Sequence, residues 1–296
     1  MRDDFCVFIL THGRPDRVIT YKTLLNAGYT GRVYIVIDDE DKTENEYRAR
    51  FGDKVLQFNK SESAKTFDEG DNFNDRRAII YARNECWKLA EQVGCKYFIQ
   101  FDDDYCSFRL RFNSRLERQD FKISNIDAVI NALVKFYSDV NPLLSVAIAQ
   151  GADLGSAEVQ PRLRRKIMNS FICSTDRPFK FFGRINEDVN TYTTLGRRGE
   201  LFFTVIQAQL NQKQTQSNPN GMTDLYLDSG TYVKSFYSVM YCPSSVQIGI
   251  LRTAAKNQAG RLHHQINWNN TAPKIIRQEY KKGWRGVSNV AVNPAE

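Results

Sequence analysis

The sequence predicts an α/β protein built on one mostly parallel sheet with helices on both faces. Short apolar segments alternate with amphipathic helical segments in the first half of the chain, which is the pattern of right-handed βαβ units. The apolar segments are hydrophobic on both faces, as expected of strands that are covered from both sides. Several of them run directly into charged or turn-forming residues, and such strand ends are where ligands bind in parallel sheets.

The first strand, turn and helix open the chain. Residues 5–11, FCVFILT, form the predicted strand, which ends in the turn HGRP at residues 12–15. A helix is predicted from about Asp16 to Asn26, and Pro15 suits its first turn because the fixed φ of proline matches a helix. Acidic residues precede the strand and no small-residue cleavage site follows it, so we interpret it as a strand and not as a signal peptide.

The same alternation continues through residue 104. A second strand at Val33–Ile37 stops at the acidic run DDED, and a short third strand is predicted at Val55–Phe58. The clearest helix then ends at Gly94. Its apolar face, at three- to four-residue spacing, comprises Ala78, Ile79, Ala82, Cys86, Leu89, Ala90 and Val93. The strand Tyr97–Phe101 follows and leads directly into three aspartates.

The later elements have weaker patterns. A helix that begins after a cap at Ser124 or Asn125 has an apolar face from Ile126 to Tyr137, and residues 144–149 are strand-like. Beyond Gly151 we predict strands at 202–206 and 245–251 and a helix at 228–241. The stretch 211–220, rich in Gln, Asn, Ser and Pro, is a predicted loop.

Composition restricts the class of protein. The chain has 296 residues, of which 42% are hydrophobic and 25% charged, and this excludes wholesale disorder. The formal net charge of +7 suits a polyanionic partner such as nucleic acid. No apolar run approaches the ~18 residues that span a bilayer, so no membrane partner is expected. Six cysteines without a CxxC pair predict free thiols and a cytoplasmic protein.

The strongest candidate site is the run Asp102, Asp103 and Asp104. Three adjacent carboxylates repel one another unless a cation neutralises them. Carboxylate oxygens at this density suit Mg²⁺ or Mn²⁺, which in turn can hold a diphosphate. Since alternate residues of an extended chain point the same way, Asp102 and Asp104 can face one ion, or one of them can face a ribose. The alternative is a solvated acidic turn.

Two other polar features lie near predicted strands. Asp38 and Asp39 begin the DDED run, where a carboxylate can accept hydrogen bonds from a nucleobase or a ribose, although a plain acidic loop has the same composition. Arg83 lies beside the apolar face of the clearest helix, so its head can reach a phosphate. The alternative for Arg83 is an ordinary surface arginine.

Candidates for acid–base and metal chemistry come late in the chain. Glu187 and Asp188, in the segment INEDVN, lie at a predicted junction of a loop and a helix. Either can be a general base for an acceptor hydroxyl, or both can simply cap the helix. His263 and His264 form the only histidine pair, and neutral imidazole is a good ligand for Mn²⁺. A pair without function is the alternative.

Basic residues are concentrated in two segments, one after the three aspartates and one at PRLRRK, residues 161–166. Aromatic residues follow the second segment. Basic and aromatic side chains together suit contact with phosphates and stacking on an exposed base, although a solvated basic face has the same composition. The candidate nucleic-acid-binding residues are Arg109, Arg111, Arg162, Arg164, Arg165 and Lys166.

The order of these motifs resembles that of glycosyltransferases of the GT-A fold, a Rossmann-like α/β fold. The segments FILTHGRPDR, YIVIDDED, FDDDY, INEDVN and LHHQINWNNTAPKI are more particularly similar to the TET/JBP-associated glycosyltransferases. That family includes the kinetoplastid base J glucosyltransferase and relatives in bacteriophages. The resemblance extends over residues 5–280.

The resemblance implies one GT-A domain in which residues 1–150 bind a nucleotide sugar and residues 151–296 bind the acceptor and supply the catalytic base. It implies a donor that is usually a UDP-sugar, a divalent cation, Mn²⁺ or Mg²⁺, and a hydroxymethylated pyrimidine in DNA as the acceptor. A phage-encoded member would act in the cytoplasm of its host.

The resemblance also implies roles for single residues. Asp188 or Glu187 matches the acidic pair that supplies the base in inverting members. Asp102 and Asp104 would contact the metal and the donor ribose, and His263 or His264 would complete the metal site. The implied donor-binding residues are His12, Gly13, Arg14, Asp38, Asp39, Arg83, Asp102 and Asp103.

Three other functions compete with this interpretation. A GT-A enzyme acting on a glycan, a lipid-linked sugar or a protein would keep the donor chemistry and change only the acceptor. A nucleotidyltransferase would carry a Gly-rich signature after the first strand, which HGRPDR matches poorly. A non-catalytic nucleic-acid-binding protein would account for the positive charge but would leave the three aspartates unexplained.

Overall fold

The structure, a computed structural model, describes residues 1–71, 76–115, 117–150, 164–212, 233–251 and 261–277. Within them a nine-stranded sheet forms the centre, and a two-stranded sheet lies toward the C-terminus. The large sheet contains β1 (Phe5–Leu10), β2 (Arg32–Asp38), β3 (Val55–Phe58), β4 (Tyr97–Asp102), β5 (Tyr105–Phe112), β6 (Arg118–Lys122), β7 (Leu143–Gln150), β8 (Ser170–Ser174) and β9 (Leu201–Gln212). The small sheet contains β10 (Val246–Leu251) and β11 (Arg261–Ile266).

Helices connect the strands and cover the large sheet. They are α1 (Ile19–Asn26), α2 (Glu44–Phe51), α3 (Lys60–Ala64), α4 (Ile80–Gln92), α5 (Ile126–Asp139), α6 (Glu187–Gly196), α7 (residues 233–241) and α8 (Trp268–Thr271). The cap of α5 is Asn125, whose side chain accepts a hydrogen bond from the Ala128 N–H at 3.1 Å. Among the described helices, none has the length and apolar character needed to cross a membrane.

The strand order in the large sheet is β3-β2-β1-β4-β8-β7-β9-β5-β6. The strands β3, β2, β1 and β4 are parallel, as are β7 and β9, whereas β8 and β5 are antiparallel to their neighbours. All strands except β8 and β5 therefore run in one direction. This confirms the predicted α/β class with a mostly parallel mixed sheet, in the Rossmann-like arrangement of the GT-A fold. The division into a donor half and an acceptor half stays a prediction.

Alternation along β1 divides the core into two layers. Phe5, Val7 and Ile9 pack into one layer, together with apolar residues of α1 and α5. Cys6, Phe8 and Leu10 pack into the other layer, together with residues of α4 and α6. Every side chain of β1 is buried, which explains why the segment is apolar at consecutive positions.

The strand ends meet at one edge of the sheet, as predicted. Leu10, the last residue of β1, pairs with Val36 of β2 on one side and with Asp102 of β4 on the other. Asp38 of β2 in turn pairs with Phe58 at the end of β3. The turn HGRP, the acidic run DDED and the three aspartates therefore lie side by side.

Several elements differ from the sequence prediction. The first helix begins only at Ile19, because residues 15–17 form a separate 3₁₀ turn. The strand predicted at 202–206 extends over twelve residues, so that Asn211 and Gln212, expected in a loop, belong to β9. Residues 213–220 of that loop and 228–232 of the last predicted helix lie outside the described residues. The sequence analysis missed α2, β5, β6 and β8 because their patterns are short or charged.

Candidate active site

The turn that carries the three aspartates is held by a buried threonine. Thr20, in the first turn of α1, donates its hydroxyl to the Asp102 carbonyl at 2.6 Å and accepts from the Tyr105 N–H at 2.9 Å. Its backbone N–H donates to the Asp103 carbonyl at 3.1 Å. Thr20 therefore contacts the backbone on both sides of Asp104 and determines the conformation of the turn.

The three aspartates separate into two environments. Asp103 is 3% exposed, accepts the Thr11 hydroxyl at 2.6 Å and pairs with Arg14 at 3.1 Å between Nη2 and Oδ2. These two contacts hold the turn after β1. The Asp103 carboxylate is therefore directed to Thr11 and Arg14, and not to the donor as expected. Asp102 and Asp104 are both partly exposed. The pKa of Asp102 is raised to about 7: burial has the largest effect, Arg83 opposes it, and the nearby Asp104 and Glu187 carboxylates add to it.

Arg83 joins this turn to the late acidic pair. Its Nη2 donates to Asp102 Oδ1 and its Nε donates to Glu187 Oε1, both at 2.9 Å. The guanidinium lies 5.0 Å from the ring centre of Phe171 and 5.9 Å from that of Phe181, and the side chain is 1% exposed. Two carboxylates thus neutralise a cation that would otherwise be costly to bury.

The burial of Arg83 corrects two sequence-based expectations. It is not a surface arginine, because α4 turns it into the core beneath the site. It is also not exposed for direct contact with donor phosphates, because its hydrogen bonds go to Asp102 and Glu187. Its position makes it a link between two elements of the site.

Glu187 and Asp188 form the first turn of α6. The preceding residue, Asn186, has a left-handed backbone (φ 55°), and its Nδ2 donates to the Lys234 carbonyl of α7 at 2.7 Å. Asp188 Oδ1 accepts its neighbour Val189 N–H at 2.7 Å. Burial and then Glu187 raise the pKa of Asp188 to about 6, against the opposing effects of Arg83 and Lys166. Its carboxyl therefore titrates nearer to neutral pH than an ordinary aspartate.

The turn after β1 has a polar rim. His12 is half-exposed, and its Nδ1 lies 2.8 Å from Asp38 Oδ2, while the buried Lys60 ammonium lies 3.4 Å from the same oxygen. The pKa of Asp38 is lowered by His12 and Lys60 although burial, the largest single effect, opposes them. The Gly13 N–H donates to Asp41 Oδ2 at 2.7 Å. Of the expected donor-binding residues, His12, Gly13, Arg14 and Asp38 are therefore brought together.

Asp39 contacts the start of the helix that follows β3. Its side chain is exposed, and its Oδ1 accepts the Lys60 N–H at 2.8 Å at the start of α3. This contact is the capping role that acidic residues have at helix N-termini.

The late histidines lie on β11. His264 is 6% exposed, and neither ring nitrogen has a hydrogen-bond partner among the described residues. Burial, then Lys166, lowers its pKa to about 2, so the ring is neutral. The positive charge of Lys166 also opposes the rise in the pKa of Asp188. His263 is partly exposed. Within the described ranges no three His, Cys, Asp or Glu side chains converge as a metal-binding group.

The basic candidates have different environments. Arg164 is exposed and Arg165 and Lys166 are partly exposed, as contact with DNA requires. Arg109 pairs with Asp120 on the hairpin of β5 and β6. Arg111 is only 3% exposed, and its guanidinium donates to the Gln209 side chain at 2.6 Å and the Gln150 carbonyl at 2.5 Å.

Arg111 is therefore a structural residue, and we exclude it from the DNA-contacting set because a phosphate cannot reach it. Arg162 lies outside the described residues. The structure also adds supporting residues that sequence analysis missed: Thr20, Asp41, Lys60 and Asn186. Only Asp41 could have been found from the sequence, because it belongs to the acidic run DDED. Thr20, Lys60 and Asn186 support the site through contacts with segments that are distant in the sequence.

Comparison with known proteins gives three results. A family model described as "TET-Associated Glycosyltransferase" matches residues 5–221. No curated protein matches the chain. Among solved structures, the chain is similar to one titled "Crystal Structure of a Mycobacterial Protein", at 10% sequence identity and a TM-score of 0.43 over 89% of this chain and 84% of the other.

Proposed function

Because the chain belongs to the TET-associated glycosyltransferase family, we propose that this glycosyltransferase moves a sugar from a UDP-sugar to the hydroxymethyl group of a modified pyrimidine in DNA. The observation that carries the proposal is the position of Arg83. Its guanidinium contacts Asp102 at the end of β4 and Glu187 at the start of α6. The first turn of α6, with Glu187 and Asp188, therefore lies close to the end of β4, which supports a single site for donor and acceptor.

Asp188 is the proposed general base. It takes the proton of the acceptor hydroxyl while that oxygen forms a bond to the anomeric carbon and the bond from this carbon to the diphosphate breaks, with inversion. A base works best when its pKa lies near the working pH, and the raised pKa of Asp188, about 6, meets this condition. Glu187 is less suited because its Oε1 is bonded to the Arg83 cation.

A divalent cation, Mn²⁺ or Mg²⁺, would be held at the donor side by the carboxylates of Asp102 and Asp104. Among the described residues no third His, Cys, Asp or Glu side chain converges with them, so the donor diphosphate would supply further ligands. When bound, such an ion neutralises the diphosphate leaving group. His12, the Gly13 N–H and Asp38 form the rim proposed for the nucleoside, while Asp103 and Arg14 hold the turn beneath it.

The acceptor side requires an accessible base. A pyrimidine inside a duplex cannot reach Asp188, so the nucleotide is flipped out at a cost of a few kcal/mol. Lys166, whose charge acts on Asp188, and its sequence neighbours Arg164 and Arg165 are the proposed contacts to the DNA backbone. Their phosphate contacts predict that DNA binding weakens steeply with salt.

The direct test is mass spectrometry of DNA containing hydroxymethylcytosine or hydroxymethyluracil after incubation with Mn²⁺ and a panel of nucleotide sugars. A hexose or pentose mass increment with the wild type, absent with Asp188→Asn, is the expected result. Donor turnover without any DNA product would contradict the DNA acceptor and favour a glycan or protein acceptor. A KM for DNA that does not change with salt would also contradict it.

A further inference from the structure

The residues just before α6 are paired with a distant segment of the chain, residues 68–71. The Gly183 N–H donates to the Asp68 carbonyl, and the Arg184 N–H donates to the Glu69 carbonyl, both at 2.9 Å. The helix α6, whose first turn carries the proposed catalytic base, begins just after this contact. The 68–71 segment therefore binds the chain where it approaches the active site.

A mostly buried ion pair completes this contact. Arg184 donates from Nη2 and Nε to Asp71 Oδ2, at 2.7 Å and 3.0 Å, and its Nε lies 3.2 Å from Oδ1. The two side chains are 1% and 8% exposed. Burial of either charge alone would be costly, and desolvation offsets much of the attraction between them. The pair instead provides a fixed direction, because a planar guanidinium binds a carboxylate at several points in one geometry.

Two tyrosines on one face of α7 bind the same segment. The Tyr237 hydroxyl donates to Asp71 Oδ2, the oxygen at the centre of the ion pair. The Tyr241 hydroxyl, one turn further along the helix, donates to the Asp68 carbonyl at 3.2 Å. Since residues four apart on a helix lie on the same side, α7 holds both ends of the segment.

Glycine is required at two positions around Tyr241. Gly70 and Gly183 have left-handed backbones, with φ of 82° and 76°. A Cβ atom on Gly70 would lie 2.5 Å from the Tyr241 hydroxyl oxygen, and one on Gly183 would lie 2.7 Å from the Tyr241 ring. The ring therefore lies against both backbones only because neither residue has a side chain.

Ordered contacts continue into the first turn of α6. Ile185 is 1% exposed and packs against Tyr237. The next residue, Asn186, is bonded to α7 through its side chain. Arg83 then binds the first residue of α6 at 2.9 Å. Two buried arginines thus hold the turn that bears the proposed base: Arg83 from α4, and Arg184 just before the turn.

We propose that the ion pair of Arg184 and Asp71, supported by Tyr237, positions the first turn of α6 so that Asp188 meets the acceptor hydroxyl. Arg184 and Asp71 are positioning residues, because they bond to each other and act through the backbone that leads into α6. The inference rests on the proposed function, since it concerns the orientation of the proposed base.

The test removes the ion pair without leaving a buried charge unpaired. The variant Asp71→Asn/Arg184→Gln replaces both charged groups by amides. On hydroxymethylated DNA we expect kcat to fall about 10- to 100-fold, because the base is misplaced relative to the acceptor. Binding of Mn²⁺ and UDP, measured by isothermal titration calorimetry, should change less than about twofold, because the donor residues lie on other elements.

A second readout follows the turn itself and needs no activity. Amide hydrogen exchange, measured by mass spectrometry, should become faster in residues 183–190 of the double variant and stay unchanged in β1 and β4. Tyr237→Phe removes one hydroxyl and should produce smaller changes of the same kind. Arg184→Lys keeps the charge but loses the planar geometry, so it should lower kcat as well.

The matched control is a second bidentate pair far from α6 in the sequence. Arg2 binds both carboxylate oxygens of Asp4 at 2.7 Å, and these side chains are 35% and 41% exposed. Removal of this pair in Arg2→Gln/Asp4→Asn should leave kcat and the exchange of residues 183–190 unchanged, because an exposed pair contributes little.

Three outcomes would overturn the positioning role. Faster exchange in residues 183–190 with unchanged kcat would show that transfer does not depend on this contact. Faster exchange throughout the protein, or parallel losses of kcat and UDP binding, would show that the pair only stabilises the fold. Unchanged exchange in residues 183–190 would show that other contacts hold the turn.

Failure of the proposed function gives a different result. If the wild type adds no sugar to hydroxymethylated DNA, the proposed function is rejected, while the exchange rates still decide whether the pair holds the turn. If the double variant does not fold, Tyr237→Phe and Arg184→Lys provide the same comparison of kcat, UDP binding and exchange.

Discussion

Arg83 donates a hydrogen bond from Nε to Glu187 Oε1 at 2.9 Å, although the two residues are 104 positions apart in the sequence. The same guanidinium bonds Asp102 at 2.9 Å. A planar guanidinium group donates in several fixed directions, so it can hold two carboxylates in a defined orientation. A lysine ammonium lacks this fixed geometry. Arg83 thereby positions α6 relative to the end of β4.

The variant Arg83→Lys tests this link. Lysine keeps the charge but has a single head group, so we expect at least one carboxylate to lose its bond and its orientation. A misplacement of this size lowers kcat by about 100-fold. The measurement is kcat at saturating donor, with Arg48→Lys on the exposed face of α2 as the control. An unchanged kcat would show that the orientation of Glu187 and Asp102 does not matter.

Asp188 and Glu187 are distinguished by their amide variants. Asp188→Asn should lower the transfer rate by about 10²- to 10⁴-fold while donor binding stays intact, because only the proton acceptor is lost. Its Tm should stay the same or rise, since burial makes the Asp188 charge unfavourable. Glu187→Gln should cost less activity. The reverse ranking, measured by single-turnover kinetics, would identify Glu187 as the base.

The pH dependence of transfer follows from the raised pKa of Asp188, about 6. The base accepts a proton only when it is ionised, so kcat should be constant well above this pKa. As the pH falls through about 6 the carboxyl becomes protonated, and kcat should then fall about tenfold for each pH unit. The profile is measured at saturating donor and acceptor. A constant kcat down to about pH 4.5 would exclude Asp188.

The three adjacent aspartates should differ in their effect on metal binding. Asp102→Asn and Asp104→Asn each remove a carboxylate from the proposed ion, so Mn²⁺-dependent binding of UDP should be lost. Asp103→Asn should retain it within about threefold, because Asp103 faces Thr11 and Arg14. Isothermal titration calorimetry measures the difference. Equal losses for all three variants would contradict the separation of their environments.

Thr20 offers an isosteric test of the turn. Thr20→Val removes only the hydroxyl that bonds the Asp102 carbonyl and the Tyr105 N–H, and leaves these buried groups unpaired. The free energy of unfolding should fall by about 1–3 kcal/mol, and Mn²⁺–UDP should bind more weakly. Thr20→Ser keeps the hydroxyl and should retain binding. Similar binding by both variants would show that the turn is held by other contacts.

The sequence predicted the elements whose signal is local. The strand β1 is apolar at consecutive positions because it is buried on both sides, and Asn125 caps α5 as its side chain predicts. β8 was missed because five residues, SFICS, give too short a pattern, although it lies between β4 and β7. β5 alternates arginines with apolar residues and was interpreted only as a basic segment.

The tertiary structure decided the roles of residues with equal sequence signals. Arg111 and Arg164 lie in similarly basic segments, but one is buried against Gln209 and the other is exposed. Asp103 lies between two aspartates and differs from both only because Thr11 and Arg14, far away in the sequence, contact it. Such contacts depend on how the chain folds back on itself.

The amino-acid sequence by itself determined the α/β class, the family and the adjacent strand ends, because hydrophobic alternation and short motifs are properties of neighbouring residues. Only the tertiary structure decided that Arg83 joins Asp102 to Glu187, and that Asp103 and Arg111 are buried. The physical reason is that burial and ion pairing depend on distances in space, which the order of residues does not specify.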